Sequence, residues 1–192
     1  MNEKSESLDL TGQLLVAMPG MLDRRFARSV ILICAHSQEG SMGFVLNQPV
    51  AHPKLTEILD ELEITDRNDE VAEKVVVFRG GPVEQGRGFV LHSLEYSTQA
   101  STRVGDLACV TATLDALHRI ASDHPPDSAI MLLGYSGWSA GQLEEEILQN
   151  GWLTTPATDQ IVFKTSHEDQ YSAALASLGI SEEMLSADSG HA

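Results

Sequence analysis

The stretch that decides the fold is residues 29–47, which read SVILICAHSQEGSMGFVLN. Ser29 to His36 is almost continuously apolar, and such a run is typical of a central strand that is covered on both faces. The turn Ser37 to Gly40 leads into a second apolar run, Ser41 to Asn47, so the two runs predict an antiparallel hairpin.

Working outward from this hairpin, the pattern alternates between strands and helices. Further strands are predicted at Leu10–Met18, Val75–Phe78, Gly88–His92, Leu107–Val110, Ser128–Leu133 and Gln160–Phe163. Helices are predicted as one turn at Asp23–Arg28 and at Leu55–Leu62, Thr113–Ala121, Ala140–Gln149 and Tyr171–Leu178, with Thr65–Lys74 as an exposed loop. The order follows no strict βαβ rhythm, which favours a mixed sheet in an α/β protein of the α+β type. We expect a mobile arm at residues 1–9 and a single compact unit at residues 10–192.

Composition and charge exclude several classes of function. The chain has 192 residues, with 28 Asp and Glu against 12 Lys and Arg, so its formal net charge is −16. Such acidity weighs against direct nucleic-acid binding, which depends on cations that replace counterions on phosphates, and against docking on anionic membranes. The longest apolar stretch is much shorter than the roughly 20 residues that cross a bilayer. The amino end is polar and acidic, unlike a signal peptide, so we expect a cytoplasmic protein.

The cysteines and histidines show no spacing that would hold a metal. Cys34 and Cys109 each lie within an apolar strand, which predicts buried, unreactive thiols rather than a redox pair. The seven histidines form no HExxH or similar pair. His36 and His92 both end strands, where a histidine often bonds to the backbone. We therefore predict no metal and no cofactor.

Two glycine-rich segments follow the Val75–Phe78 strand. They read Arg79-Gly80-Gly81-Pro82 and Gln85-Gly86-Arg87-Gly88. Backbone N–H groups in such turns can form a nest that binds an anion, with the arginines supplying charge. The alternative is that the glycines only relieve backbone strain. No nucleotide-binding GxGxxG or P-loop pattern is present.

Residues 132–138 read LLGYSGW and resemble the setting of a nucleophile elbow, since they lie between a predicted strand and a predicted helix. Asp159 or Asp169 and then His191 follow in the order that hydrolases use. Trp138, however, occupies the position where the elbow motif has glycine. The alternative is a tight turn at Gly134 and Gly137 from which Tyr135 and Trp138 pack a crevice. The next helix carries Glu144 to Glu146 in its first half, where acidic side chains complement the helix dipole and remain solvated.

The segment Asp23 to Arg28 is the one dense basic cluster in the sequence, with arginines at 24, 25 and 28. Its positive potential could receive a phosphate, a carboxylate or an acidic peptide. The alternative is that nearby acids neutralise the arginines within the molecule.

Several separated motifs, which agree in order along the chain, resemble those of the bacterial AlgH/YqgE family. They are Leu15–Pro19, Asp23 with Phe26 and Arg28–Val30, Met42–Pro49, Gly80–Val83, Arg87–His92, Leu133–Tyr135 with Gly137-Trp138 and Gly141–Glu144, Asn150 with Trp152-Leu153, and Gly190–Ala192. The resemblance implies a mixed, bifurcated β-sheet surrounded by helices. Some members carry the label of putative transcriptional regulator, which names no biochemical activity. Family sequences usually have alanine where this chain has Ser136, and no catalytic residue can be carried over.

The motif residues predict a shared binding surface, for an unknown protein partner or a small anionic ligand. Its candidate residues are Arg28, Asn47, Gly80, Gly81, Arg87, His92, Tyr135, Gly137, Trp138 and Gln142. A non-enzymatic regulatory or binding protein is the preferred hypothesis, with any effect on transcription indirect. The alternatives are a small-molecule enzyme of hydrolase type that uses Ser136 or His92, and a regulator that binds DNA directly.

Overall fold

The computed structural model describes residues 9–188, which fold into nine strands, six α-helices and two shorter helical turns. The strands are β1 (Gln13–Ala17), β2 (Val30–Ser37), β3 (Gly40–Val45), β4 (Val77–Arg79), β5 (Val83–His92), β6 (Thr102–Val104), β7 (Ala108–Thr111), β8 (Ala129–Ser139) and β9 (Trp152–Pro156). The helices are α1 (Leu55–Glu61), α2 (Asp69–Ala72), α3 (Leu114–Ile120), α4 (Gln142–Leu148), α5 (Gln170–Ser177) and α6 (Glu182–Asp188). A 3₁₀ turn spans Arg24–Phe26, and a π-helical turn spans Gln160–Lys164. Apart from Asp9, the predicted arm lies outside the described residues.

Strand β8 is shared by two parts of the sheet. Its first half lies between β5, where Phe89 faces Leu132 in an antiparallel pair, and β4, where Phe78 faces the same Leu132 in a parallel pair. Its second half pairs antiparallel with β3, with Met42 opposite Gly137. The sheet therefore divides along β8 and is both mixed and bifurcated, which confirms the predicted fold class.

The strand order is β6-β7-β5-β8-β3-β2-β1-β9, with β4 beside β8, and the sheet is curled. Both faces of β2 are covered: Leu32 lies in the core layer that includes α5, whereas Ile31 and Ile33 lie in the layer that includes α4. All three side chains are fully buried. A further layer places α1 and α3 against β5 and β8. The covering of both faces explains why β2 is apolar without interruption.

The predicted hairpin and four of the predicted helices are confirmed. β2 and β3 pair antiparallel up to Ser37 and Gly40. α1, α3 and α4 lie within the predicted helical ranges, and α5 begins at Gln170, one residue before its predicted start. Gly179 follows α5 with a φ of 71°, the left-handed conformation that commonly ends a helix. Cys34 and Cys109 are buried free thiols, and burial raises the pKa of both.

Two predictions outside the main sheet are wrong. The predicted loop Thr65–Lys74 contains the short helix α2, whose N-cap Asn68 accepts a hydrogen bond from the backbone N–H of Val71. The predicted strand at Gln160–Phe163 is a π-helical turn. Ile161 and Val162 are buried there, and the Gln170 amide donates hydrogen bonds to both of their carbonyl oxygens. The run is apolar because its residues are buried, and an apolar run of only four residues is compatible with either a strand or a helical turn.

Four segments are strands that the sequence pattern did not indicate, and the short strand β6 is one of them. β8 continues without interruption to Ser139, so the tight turn predicted at Gly134 to Gly137 is wrong. β5 begins at Val83, so the second glycine-rich segment lies within a strand rather than in a connection. β9 adds an edge to the sheet beside β1, with Trp152 opposite Ala17. This last strand brings Trp152 close to the end of β8 and α4.

Candidate binding site

A cavity of about 840 Å³ lies beside the end of β8, at the point where α4 and β9 meet the loop before β2. We call it the tryptophan pocket. Its lining consists of Met18, Gly20, Met21, Leu22, Asp23, Arg25, Phe26, Pro82, Val83, Gly137, Trp138, Gln142, Glu146, Gln149, Asn150, Gly151 and Trp152. The volume lies within the range of about 300–1,000 Å³ that is usual for ligand sites. Three of the predicted surface residues, Gly137, Trp138 and Gln142, converge here.

The Glu146 carboxylate joins the two tryptophans of the pocket. Its Oε2 accepts a hydrogen bond from Trp138 Nε1 at 3.0 Å and another from Trp152 Nε1 at 2.8 Å. Its Oε1 accepts a hydrogen bond from Gln142 Nε2 at 2.9 Å. Gln142 is itself oriented by Ser139, whose backbone N–H and hydroxyl both donate to Gln142 Oε1. The pocket is thus held in shape by a continuous hydrogen-bond network.

Three aromatic rings pack edge to face around this network. The centroids of Trp138 and Trp152 lie 6.3 Å apart, and those of Phe26 and Trp152 lie 5.7 Å apart. Both indoles are buried, whereas Phe26 is half-buried and forms part of the opposite wall. Leu22, at the rim, is 97% exposed. The pocket therefore has a fixed aromatic floor and an apolar rim that no described residue covers.

In the pocket wall that carries the arginine cluster, Arg25 forms an ion pair with the neighbouring Asp23. Asp23 caps the 3₁₀ turn by accepting a hydrogen bond from the backbone N–H of Arg25. The Arg25 side chain donates to both carboxylate oxygens of Asp23, and these hydrogen bonds lower the pKa of Asp23. This arrangement favours the alternative in which the arginines are neutralised by nearby acids.

Comparison with known proteins identifies the family. A family described as AlgH-like matches residues 14–183 of the chain. The chain belongs to this AlgH-like family. A UPF0301 protein from Rhizobium leguminosarum bv. trifolii is 50% identical over 186 residues, which cover 94% of this chain and 92% of that protein. A UPF0301 protein from Nitrobacter hamburgensis is 50% identical over 189 residues, covering 95% of this chain and 88% of that one.

Two solved structures share the fold of this AlgH-like protein. The solution structure of AlgH from Pseudomonas aeruginosa has a TM-score of 0.79 and 38% identity, and the match covers 100% of both chains. The crystal structure of a Corynebacterium diphtheriae protein has a TM-score of 0.68 and 24% identity, covering 86% of this chain and 85% of that one. The second comparison bears on the fold alone. None of these relatives is described by an activity.

The predicted residue Arg28 lies outside the pocket, in the turn that precedes β2. Its φ is 56°, a left-handed conformation that non-glycine residues rarely adopt. Asn47 holds this turn: its Oδ1 accepts from the backbone N–H of Val30, and its Nδ2 donates to the carbonyl of Arg28, both at 2.9 Å. The Arg28 guanidinium pairs with Glu182 on α6 and lies over the Tyr171 ring, 4.5 Å from its centroid. Arg28 and Asn47 therefore have structural partners.

Ser136 lies in the interior of the sheet. It is 1% exposed, and its hydroxyl donates to the carbonyl of Gly80 at 3.4 Å. The elbow prediction is wrong because β8 runs straight through this position. The predicted third partner, His191, lies outside the described residues.

His92 is fully buried at the other end of β5. Its Nε2 is 2.8 Å from the Thr111 hydroxyl, and its Nδ1 is 3.1 Å from the carbonyl of Ser93. Its ring packs against Tyr96. Every polar atom of this side chain has a neighbour in the core, which is the arrangement of a structural histidine.

The glycine-rich segments serve backbone packing. A Cβ atom on Gly80 would lie 2.3 Å from the carbonyl oxygen of Gly134, and one on Gly81 would lie 2.1 Å from the carbonyl carbon of Tyr135. The N–H of Gly80 already donates to the carbonyl of Leu133. This geometry favours strain relief and close packing over an anion-binding nest.

Arg87 and Tyr135 lie away from the pocket lining. Arg87 pairs with Glu84 at 3.0 Å and lies over the Phe89 ring. Tyr135 is half-buried, with its ring centroid 6.0 Å from that of Phe89. The predicted surface is therefore divided, and only its Gly137, Trp138 and Gln142 portion forms a cavity wall.

Sequence reasoning missed Glu146, Trp152 and the Met18 to Leu22 part of the wall as site components, whereas Asp23, Arg25 and Phe26 belong to the predicted basic cluster. The i,i+4 spacing of Gln142 and Glu146 was a usable signal, since residues so spaced meet on one helix face. Among the described residues, no group of three or more His, Cys, Asp or Glu side chains could hold a metal ion. No helix in the described range is long and apolar enough to cross a membrane.

Proposed function

We propose that this AlgH-like chain is a non-catalytic binding protein and that the tryptophan pocket receives a segment of a partner protein. The observation that carries the proposal is a pocket of ligand size whose aromatic floor is fixed before any ligand arrives. A preorganised site loses little conformational entropy on binding, which favours affinity.

A protein partner fits the rim better than a small molecule does. Leu22 lines the pocket and is 97% exposed, so a small molecule within the cavity would cover only its pocket-facing side, whereas a polypeptide that crosses the rim would bury more of it. The net charge of −16 would steer a basic partner toward the molecule. We take the cytoplasm as the compartment, in keeping with two buried thiols that form no disulfide.

The enzymatic and DNA-binding alternatives have less support. Ser136 and His92 are 1% and 0% exposed, so neither side chain offers a reacting atom to a substrate. Two of the three arginines that would have to contact phosphates, Arg25 and Arg28, are paired with Asp23 and Glu182, and the exposed Arg24 is the third. A regulatory effect on transcription would then arise through the bound partner rather than through DNA.

The test is selection of random heptapeptides displayed on phage against the immobilised protein, followed by titration of the enriched peptides. Trp138 and Trp152 are the only two tryptophans of the chain, and both line the pocket, so tryptophan emission reports on this site alone. We expect binding to change the emission, and Leu22→Asn and Phe26→Ala to weaken binding at least 10-fold. Leu114→Asn is the matched control, because Leu114 is a 55% exposed leucine on α3 outside the pocket.

Two results would overturn the proposal. One is that enriched peptides bind all three variants as tightly as the original protein and leave the emission unchanged. The other is that selection enriches no peptide whose binding depends on the pocket.

A further inference from the structure

Among the described residues, no cation forms an ion pair with the Glu146 carboxylate. Three N–H groups hold its carboxylate, but all three belong to neutral side chains. In the part of the chain that the structure describes, no Lys, Arg or His nitrogen lies within 4.0 Å of it. A half-buried carboxylate of this kind is a recognition element for a positive charge.

We infer that the pocket recognises a lysine side chain of the partner segment, whose ammonium group pairs with Glu146. The inference rests on the proposed function and specifies the chemistry of the partner. A lysine side chain combines an apolar stem with a charged end. The stem would lie along the methionine and aromatic walls of the pocket.

The other charges on the pocket lining are consistent with a cationic guest. Arg25 is the only cation among the described lining residues, and its Nε and Nη2 donate to Asp23. The lining therefore has a net charge of −1, from Asp23 and Glu146 against Arg25. A small anionic ligand, the alternative predicted from the arginine cluster, would meet the Glu146 carboxylate, and the one guanidinium on the lining is already paired with Asp23.

The hydrogen bonds already made by Glu146 favour lysine over arginine. A carboxylate offers about four lone-pair positions, two on each oxygen. Oε2 already accepts two hydrogen bonds and Oε1 accepts one, which leaves one position, on Oε1. A guanidinium binds a carboxylate best with two parallel N–H groups, whereas an ammonium group needs only one acceptor position.

The experiment uses the peptides that the selection enriches on the full-length protein. We expect them to share a lysine, and replacement of that lysine by norleucine or acetyl-lysine to weaken binding at least 10-fold in titrations of tryptophan emission. Replacement by arginine should weaken it less than norleucine does. The lysine preference should also decrease as salt concentration rises, because salt screens charge pairing.

The matched protein variants are Glu146→Gln and Glu145→Gln. Both remove one negative charge from α4, but Glu145 is exposed and does not line the pocket. In Glu146→Gln, the lysine and norleucine peptides should bind with about equal affinity, whereas Glu145→Gln should keep the preference for lysine. The readout is the ratio of the two peptides' affinities for the same variant. A change in pocket shape that weakens both peptides equally therefore leaves this ratio unchanged.

The outcomes separate this inference from the proposed function. Pocket-dependent peptides that lack a basic residue, or that bind equally with norleucine, overturn the lysine inference and leave the binding function standing. A lysine preference that survives Glu146→Gln overturns the assignment to Glu146. Failure to enrich any pocket-dependent peptide overturns the proposed function and the inference together.

Discussion

Replacing Asn47 with alanine should lower the free energy of unfolding by about 2–4 kcal/mol, although Asn47 was predicted as a binding residue. Its amide satisfies the N–H of Val30 and the carbonyl of Arg28. Val30 is fully buried, so its N–H would lose its partner without access to water, which costs about 1–3 kcal/mol. The carbonyl of the exposed Arg28 can bond to water, so we expect a smaller loss of about 1 kcal/mol there.

The assay is urea unfolding followed by circular dichroism. With a slope of about 2 kcal/mol per molar urea, the expected loss moves the midpoint by about 1–2 M. Asn47→Asp keeps the acceptor for Val30 but removes the donor to Arg28, so its loss should be intermediate. Gln48→Ala is the control, because Gln48 makes one comparable bond to the carbonyl of Arg25. If Asn47→Ala and Gln48→Ala lower the free energy of unfolding by amounts that agree within about 0.5 kcal/mol, the two hydrogen bonds of Asn47 do not make the contribution proposed for them.

Three further predictions concern stability and reactivity. Cys34 and Cys109, whose pKa values burial raises, should resist dithiobisnitrobenzoate in the native protein and react once it is unfolded; fast native labelling would contradict their burial. Hydrogen bonds from Arg28 and Ser172 lower the pKa of Glu182 in the folded protein below its ordinary value of 4.5. The ionised carboxylate therefore contributes to stability above pH 4.5, and this contribution is lost as the pH falls through the lowered pKa of the folded protein. Unfolding midpoints of the protein and Glu182→Gln should therefore converge in acid, and a constant gap would refute this ion-pair role. Gly179→Ala, where open space surrounds a φ of 71°, should cost about 1 kcal/mol, whereas Gly134→Ala should cost more because its Cβ would lie 2.7 Å from the Val83 carbonyl oxygen; equal thermal shifts would contradict this account.

The sequence predicted the elements whose residue types depend on their own burial. β2 is continuously apolar because both its faces are covered, and its hairpin with β3 has a recognisable turn. The continuation of β8 could not be predicted in the same way. Gly134 and Gly137 are turn formers by local pattern, but Gly134 lies where the Gly80 and Gly81 backbone approaches closely. That approach comes from distant parts of the chain, and no local window contains it.

Only part of the site was predicted, because some of its contacts also come from distant parts of the chain. Trp138 and Gln142 belong to a motif that was quoted for its resemblance to a family, and both line the pocket. Glu146 was interpreted as a solvated helix charge, since acidic side chains are common in the first half of a helix. Its role depends on Trp152, which β9 places beside β8, and β9 has no strong alternating pattern. His92 belongs to a motif in the same way, but its partners are internal.

The position of β8 in the chain has a consequence for how the protein is made on the ribosome. β3 and β5 are synthesised well before residues 129–139, yet both need β8 as a neighbour. Until Ser139 has emerged, two strands with apolar faces have open edges, which are places where aggregation begins. A premature stop before Ala129 would deprive both β3 and β5 of their β8 neighbour, whereas a stop between Tyr135 and Ser136 would deprive β3 alone.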